Sequence, residues 1–246
     1  MSILDSLRPA RGLRVLVTAG AGGVGAAVAR AFHAAGSRVH VCDVDRSALD
    51  RLRAEVSGIT GSMADVSRAA DVGSVFADVQ ETLGGLDVLV GNSGIAGPAG
   101  PVETIDGAGW ERSIAVNLHG QFHFARRAVP LLKASLAGPC LIMIGAASAR
   151  PGWAVHIADA SSTWAIVGLM RSLASELGPH GIRVNAILLG ARTAREPLAD
   201  GSADRTARRR VATADDAAAL ALFLCSPAAR NVTGQAVSVD GSAGLV

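Results

Sequence analysis

The sequence contains no tyrosine, and only 3% of its 246 residues are aromatic. Any reaction in which a tyrosine phenol exchanges a proton is therefore excluded. Lysine is almost as scarce, because Lys133 stands alone against 22 arginines. The three cysteines, Cys42, Cys140 and Cys225, are far apart and form no CxxC pattern. Their spacing argues against disulfides and thiolate metal sites, and it favours a reducing compartment.

Charge and hydropathy set further limits on the class of protein. The formal net charge is +2, with acids and bases interspersed along the chain, so we expect binding neither to nucleic acid nor to a membrane surface. The N-terminus lacks the apolar core of a signal peptide, and the uncharged stretch of residues 15–29 is too short and too glycine-rich to span a bilayer. We expect a cytoplasmic protein whose partners are small molecules or other proteins.

Short apolar runs alternate with longer amphipathic segments along the whole chain. The apolar runs occupy residues 13–18, 38–43, 58–61, 86–91, 139–145, 182–190 and 235–241. Helical patterns cover residues 24–35, 69–83, 110–134, 161–177 and 214–224. Continuous apolar strands separated by helices are typical of a parallel sheet that is buried on both faces. The sequence therefore predicts an α/β fold, a doubly wound seven-stranded parallel sheet (Rossmann fold). We expect a single domain over residues 1–246 with a short polar lid at about 191–210.

A glycine-rich loop, residues 18–25, follows the first predicted strand and opens the first predicted helix. Gly20, Gly22 and Gly25 match the pattern GxGxxG, in which the backbone can approach a pyrophosphate at the start of a helix. The second strand ends at Asp43, whose carboxylate can accept hydrogen bonds from a ribose diol and repel a 2′-phosphate. This pattern favours NAD(H) over NADP. The alternatives are tight strand-to-helix packing for the glycines and a helix cap or solvated acid for Asp43.

Together with several other segments, these motifs resemble those of the short-chain dehydrogenase/reductase (SDR) family, and the resemblance covers nearly the whole chain. Residues 18–25 correspond to the family's TGxxxGxG loop, with Ala19 in place of the first glycine, and residues 91–94 correspond to its NNAG segment. Residues 171–187 and 232–241 are almost verbatim family segments. The resemblance implies a dinucleotide site in which Asp65 and Val66 touch the adenine. The implied cofactor-binding residues are Gly20, Gly22, Val24, Asp43, Asp65, Val66, Asn92, Gly94 and Gly190.

The same resemblance implies that the catalytic centre has been lost. Counting back without a gap from the GL pair of the helix places the tyrosine and lysine of the family's YxxxK motif at Asp159 and Thr163. The family's serine falls on Ala146, with Ser148 two residues further along, and Asn117 corresponds to the asparagine that holds a proton-relay water. Loss of an acid/base group alone typically costs about 10²- to 10⁴-fold in rate. Ordinary dehydrogenase chemistry is therefore not expected.

Asp159 has two interpretations that do not exclude each other. A carboxylate in an apolar cleft can act as an acid or base, with His156, three residues earlier, as its partner. The simpler interpretation is an N-cap, in which the Asp159 side chain accepts hydrogen bonds from the amides of Ser161 and Ser162.

Two histidines and a tryptophan lie on segments that we expect to form an interface between subunits. His119 and His123 have the i,i+4 spacing at which two imidazoles can bind one metal ion, but no carboxylate nearby completes the set, so no metal site is predicted. In the family, the helices corresponding to residues 110–134 and 161–177 pack against a second subunit. We therefore expect Trp164 to fill a helix interface, and the chain to form a dimer or tetramer.

Three functions are compatible with these residues. The first is a redox-inactive pseudoenzyme that binds NAD(H), with an affinity below that of active members, and serves as a subunit of an SDR assembly, either as a homo-oligomer or with an active paralogue. The second is a lyase, dehydratase or cyclase of a specialised pathway that uses Asp159 with His156, Asn117 or Ser148. The third is a residual NAD-dependent oxidoreductase in which water relayed by Asn117 replaces the phenol.

Overall fold

The computed structural model describes residues 2–147, 155–190 and 207–241. The predictions for Ser148 and for residues 191–206 of the lid lie outside these ranges. The strands are β1 (Arg14–Thr18), β2 (Arg38–Asp43), β3 (Thr60–Met63), β4 (Val88–Gly91), β5 (Cys140–Ala146), β6 (Arg183–Leu189) and β7 (Ala236–Val239). The α-helices are α1 (Ile3–Ser6), α2 (Gly23–Ala34), α3 (Arg46–Glu55), α4 (Ala69–Leu83), α5 (Gly107–Ile114), α6 (Gly120–Lys133), α7 (Ile157–Leu177) and α8 (Ala214–Leu224).

The strands form one parallel sheet in the order β3-β2-β1-β4-β5-β6-β7. Each observed strand begins and ends within two residues of the predicted run. The predicted doubly wound α/β fold is therefore confirmed. The chain order reverses between β1 and β4, and at such a point the loops beyond the carboxyl ends of the strands diverge and leave a crevice for a ligand.

Side chains of the sheet alternate between two apolar layers. In β1, Leu16 faces a layer that includes residues of α4, α6 and α7, whereas Val15 and Val17 face a layer that includes residues of α2, α3 and α8. All three side chains are fully buried. Because helices cover both faces, the sheet can present functional groups to a ligand only at its edges and strand ends.

The helices differ from the predicted segments in several places. The segment predicted as one helix over residues 110–134 consists of α5, a π-helical turn (Ala115–His119) and α6. Helix α7 begins at Ile157, four residues before the predicted start. Helix α3 goes beyond the predicted segments, and it begins after Asp45, whose carboxylate accepts a hydrogen bond from the amide of Ala48 at 3.0 Å.

All three cysteines are buried free thiols. Within the ranges that the structure describes, no helix combines the length and the apolar character needed to cross a membrane.

Candidate nucleotide-binding site

A cavity of about 480 Å³ opens at the carboxyl edge of the sheet. Residues at or just after the carboxyl ends of six strands contribute to its lining, namely Ala19, Asp43, Ala64, Asn92, Ala146 and Leu189. This position beside the reversal between β1 and β4 is where open α/β sheets bind their ligands. The cavity is therefore the candidate functional site.

The glycine loop forms the floor of the cavity between β1 and α2. A Cβ atom on Gly20 would lie 2.7 Å from Cβ of Val41, so this position requires glycine for packing against β2. Gly22 is the N-cap residue of α2, no side chain caps this helix, and a Cβ on Gly22 would meet nothing within 4 Å. An uncapped helix start that faces a cavity attracts a phosphate through its free amides and its dipole. The loop therefore fits the pyrophosphate of a dinucleotide.

Ala19 takes the place of the family's first glycine and adopts a left-handed conformation with a φ of +46°. An L-residue with a Cβ is strained in this conformation. Alanine therefore occupies this turn at a cost in backbone strain.

The Asp43 carboxylate, at the end of β2, is held by two backbone amides. Its Oδ2 accepts a hydrogen bond from the amide of Ala21 at 3.1 Å, and its Oδ1 accepts one from the amide of Asp45 at 3.1 Å. The side chain lines the cavity. A carboxylate has about four acceptor sites, so an oriented Asp43 retains the capacity to bind the two hydroxyls of a ribose.

Asp65 lies in the loop after β3 and is connected to α5 by an arginine. The guanidinium of Arg112 donates to Asp65 Oδ2 at 3.0 Å and to Ser67 Oγ at 2.9 Å. The amide and the hydroxyl of Ser67 donate to Asp65 Oδ1 at 3.0 and 2.6 Å. Burial works to raise the pKa of Asp65, but these hydrogen bonds and the Arg112 charge together lower it. Sequence reasoning missed Arg112, because a lone arginine on an exposed helix resembles an ordinary surface residue.

Val66 packs against the start of α6. A Cβ on Gly120 would lie 2.8 Å from Val66 Cγ2, so glycine at this position allows the β3 loop to approach the helix. Both Asp65 and Val66 line the cavity. The structure thus places together the two residues that the resemblance assigns to adenine.

The loop after β4 is tied to the glycine loop. Asn92 Nδ2 donates to the carbonyl oxygens of Thr18 and Ala19 at 3.2 and 3.1 Å. Gln121 Nε2 donates to the carbonyl oxygen of Gly91 at 2.8 Å, and a Cβ on Gly91 would collide with the Gln121 amide. Gly91, which stands at the first asparagine of the family's NNAG segment, is therefore explained by the presence of Gln121.

Asn117 lies in the π-helical turn and is 3% exposed. Its Oδ1 accepts a hydrogen bond from the amide of Ile95 at 2.8 Å, and its Nδ2 donates to the Ile95 carbonyl at 2.9 Å and to Ser162 Oγ at 3.0 Å. The Ser162 hydroxyl donates to the backbone carbonyl of Asp159 at 3.2 Å. Asn117 thus connects the loop after β4 to α7, and π-helical turns of this kind often occur at functional sites.

The prediction that Asp159 is an N-cap is wrong. Helix α7 begins at Ile157 with His156 as its N-cap residue, so Asp159 is the third helical residue, and the amides of Ser161 and Ser162 lie inside the helix. In the helix interior these amides donate to carbonyls four residues earlier and need no side-chain cap. Asp159 is 6% exposed and lines the cavity.

Thr163 and Ala146 are joined by a hydrogen bond at the opposite end of the cavity from Asp65. Thr163 Oγ1 accepts from the amide of Ala146 at 3.2 Å. Thr163 is 3% exposed and Ala146 is 7% exposed, and both line the cavity. The hydroxyl of Thr163 thus forms a hydrogen bond with the last residue of β5.

Most of the predicted site residues lie together around the cavity. Those that line it are Gly22, Val24, Asp43, Asp65, Val66, Asn92, Gly94, Asn117, Ala146, Asp159 and Thr163. Gly20, His156 and Gly190 are not among its lining residues. A Cβ on Gly190 would lie 2.6 Å from Cβ of Asp240, so Gly190 allows β6 to pack against the residues that follow β7. The roles of all the predicted residues in ligand binding stay predictions, whether or not they line the cavity.

The two histidines of the predicted interface lie on the π-helical turn and α6. Burial lowers the pKa of His123, and the neighbouring His119 and Arg126 lower it further. Among the residues that the structure describes, no group of three or more His, Cys, Asp or Glu side chains is arranged to hold a metal ion.

The sheet order, the glycine turn before an uncapped helix and the acidic residues after β2 and β3 are together typical of the Rossmann type of α/β fold. Residues 19–243 match the family model described as Enoyl-(Acyl carrier protein) reductase. The short chain dehydrogenase/reductase dpchG of Colletotrichum higginsianum is 35% identical over 93% of this chain and 92% of its own length. The 2-(S)-hydroxypropyl-CoM dehydrogenase 3 of Xanthobacter autotrophicus is 32% identical over 92% of this chain and 94% of its own length.

A solved structure is similar over the same extent. The 3-ketoacyl-(acyl-carrier-protein) reductase from Brucella melitensis, complexed with NADH, matches with a TM-score of 0.90 and 28% identity, over 96% of this chain and 99% of its own. The chain therefore belongs to the short-chain dehydrogenase/reductase family of oxidoreductases.

Proposed function

We propose that this protein is an NAD(H)-binding member of the family in which the Ser/Tyr/Lys redox centre is lost, and that it works as a redox-inactive subunit of an SDR assembly. The observation that carries the proposal is the hydrogen bond between the Ala146 amide and Thr163 Oγ1, at the positions that correspond to the family's serine and lysine. The buried threonine hydroxyl stabilises the end of β5, and the methyl group of Ala146 offers no hydrogen bond to a substrate.

No other residue can supply the missing phenol or the missing lysine amine through a different alignment. The chain contains no tyrosine, and its single lysine, Lys133, is the last residue of α6. Since α6 leads into the amino end of β5, Lys133 lies at the edge of the sheet opposite the cavity. When bound, NAD(H) supplies hydride transfer, but the accompanying proton has no phenol donor or acceptor here.

The choice of NAD(H) over NADP rests on Asp43. Its carboxylate is fixed by the Ala21 and Asp45 amides at the end of β2, where it can bind a ribose diol and would repel a 2′-phosphate. The Brucella melitensis relative was complexed with NADH, which also supports a nicotinamide cofactor. The whole protein would then act by holding nucleotide rather than by oxidising or reducing a substrate.

Assembly is supported by apolar side chains on α6 and α7. Phe122 is 46% exposed and Trp164 is 50% exposed, one on each of the two helices expected to face a second subunit. Exposed aromatic residues of this kind are enriched at protein interfaces. The partner is a second copy of this chain or an active paralogue.

Calorimetric titration with NAD⁺, NADH and NADP⁺ tests nucleotide binding. We expect the wild-type protein to bind NAD(H) more tightly than NADP⁺, and Asp43→Asn to reduce that preference by about tenfold or more, because a charged hydrogen bond contributes about 1.5–3 kcal/mol. The matched control is Asp50→Asn, an exposed carboxylate on α3, which should change neither affinity. A wild-type protein that binds neither cofactor contradicts the proposal.

Absorbance of enzyme-bound NADH, followed in rapid mixing with a panel of ketones and aldehydes, tests the loss of redox activity. We expect no oxidation above the rate of free NADH. Steady-state turnover would instead favour the residual oxidoreductase. Co-purification from the source cells tests assembly, and a homo-oligomer with its own turnover contradicts the pseudoenzyme role.

A second candidate function is favoured by the position of Asp159. Its side chain lines the cavity and is 6% exposed, on the same helix turn as Ser162 and Thr163. A buried carboxyl group in a cavity can exchange a proton with a bound metabolite, as a non-redox lyase, dehydratase or cyclase requires. Incubation with a small-molecule extract of the source cells, followed by mass spectrometry, tests this function. The product should disappear with Asp159→Asn and persist with Asp50→Asn; persistence with both variants contradicts the hypothesis.

A further inference from the structure

Arg112 joins the two sides of the cavity at the end where Asp65 lies. Its two terminal nitrogens donate to Asp65 Oδ2 at 3.0 Å and to Ser67 Oγ at 2.9 Å, so a residue of α5 is fastened to the loop after β3. The loop is in turn fastened to α4, because the Asp65 amide donates to Asp71 Oδ2 at 3.0 Å. Arg112 therefore has a fixed orientation although its side chain is 52% exposed.

A guanidinium held by both terminal nitrogens presents its flat faces rather than its edge. These faces stack on aromatic rings, and heterocyclic bases are favourable partners for such stacking. Arg112 is among the residues that line the cavity, and so are Val66 and Val116, which have apolar side chains. The lining of the cavity thus combines a cationic planar group with apolar side chains.

We infer that Arg112 is a specificity-determining residue that forms one wall of the base-binding end of the site, where the adenine ring of the cofactor packs against its guanidinium. Asp65 and Ser67 act as positioning residues, since their hydrogen bonds hold both terminal nitrogens of the guanidinium. The inference rests on the proposed function, because it assumes that the cavity binds NAD(H). It adds that the adenine half of the ligand contributes binding energy through a residue of α5.

The inference is tested by comparing NAD⁺ with nicotinamide mononucleotide, which lacks the adenosine half. Calorimetry is carried out on the wild-type protein and on the variants Arg112→Ala and Arg112→Lys. We expect the Kd for NAD⁺ to rise about five- to tenfold in both variants, because lysine keeps the charge but lacks the planar group. The Kd for nicotinamide mononucleotide, obtained by competition, should stay within about twofold of wild type in both.

The matched control is Arg30→Ala, which removes another exposed ion pair, with Glu55 at 2.6 Å, between α2 and α3. This variant should leave both affinities unchanged. Unaltered NAD⁺ affinity in Arg112→Ala would overturn the inference, and so would an equal loss for both ligands, since that result indicates a general disturbance of the site. A wild-type protein that does not bind NAD⁺ overturns the proposed function and this inference with it.

Discussion

His40 is a buried imidazole that connects β2, which ends at Asp43, to β3, which precedes Asp65. Its protonation allows the effect of pH on stability to be predicted. His40 is 1% exposed, its Nδ1 lies 2.8 Å from Thr60 Oγ1, and its Nε2 lies 2.8 Å from Ser62 Oγ. The Ser62 hydroxyl also donates to the carboxylate of Asp78 on α4. Since Ser62 has only one hydroxyl proton, it accepts from His40, and Nε2 carries the proton of a neutral imidazole.

The neutral form is favoured in the folded protein. Burial lowers the pKa of His40 from 6.5 to about 4; the negative charge of Asp78 opposes this effect, and the positive charge of Arg53 adds to it. Below pH 6.5 the unfolded chain binds a proton that the folded protein does not bind, so stability falls as the pH decreases. Between pH 7 and pH 5 this linkage lowers the free energy of unfolding by about 2 kcal/mol, and below pH 4 the total loss reaches about 3 kcal/mol.

The measurement is urea unfolding at pH 7 and pH 5 for the wild-type protein and for His40→Gln, which cannot titrate in this range. Acid also affects the carboxylates, so the informative quantity is the difference between the pH dependences of the two proteins. We expect the wild-type protein to lose about 2 kcal/mol more than the variant. In thermal unfolding this corresponds to about 4–8 °C for a chain of this length.

His180→Gln serves as the control, because His180 is exposed and its replacement should leave the pH dependence of wild type unchanged. Equal pH dependences for wild type and His40→Gln would refute the reasoning, since the imidazole would then titrate alike in the folded and unfolded states.

Three further changes test other parts of the structure. Ala19→Gly should raise the free energy of unfolding by about 0.5–1 kcal/mol, because relief of left-handed strain at φ +46° exceeds the added entropy of the unfolded chain; a decrease in urea midpoint would contradict this. Gly91→Ala should lower the free energy of unfolding by about 1–3 kcal/mol, because the new Cβ collides with the Gln121 amide. Adding Gln121→Ala to this variant should recover part of the loss, whereas additive effects of the two substitutions would contradict the collision. Trp164→Glu should shift the oligomer toward monomer in light scattering, whereas Leu136→Glu, at a fully exposed site, should not; unchanged mass in both contradicts the predicted interface.

The fold could be predicted because central strands such as β1, β4 and β5 are largely apolar runs, and such runs are stable only between two layers of helices. The glycine loop and Asp43 could be placed for a similar reason, since both lie in sequence directly beside a strand end. All of these signals are local. Asp45 and the helix α3 that follows it carry such a signal too, as an acidic residue directly before a helical segment indicates an N-cap.

The start of α7 could not be predicted in this way. Asp159 is a favourable cap residue, but the helix begins at Ile157, where Ala158 is completely buried. Burial of an apolar side chain thus outweighs the local preference for a cap. The π-helical turn around Asn117 depends on contacts with Ile95 and Ser162 that are distant in sequence, so the pattern of residues 110–134 could not reveal it.

The absence of tyrosine and the position of the lone lysine restrict the chemistry of this chain whatever its fold, because folding cannot restore a missing side chain. Contacts between residues that are distant in sequence determine how these groups are arranged in the site. In the folded protein the buried Thr163 hydroxyl accepts a hydrogen bond from the Ala146 amide, and Asp159 lines the cavity rather than capping a helix. Folding also fastens Arg112 to Asp65 across 47 positions of the sequence. Composition fixes which groups exist, whereas the packing of distant segments fixes which of them meet.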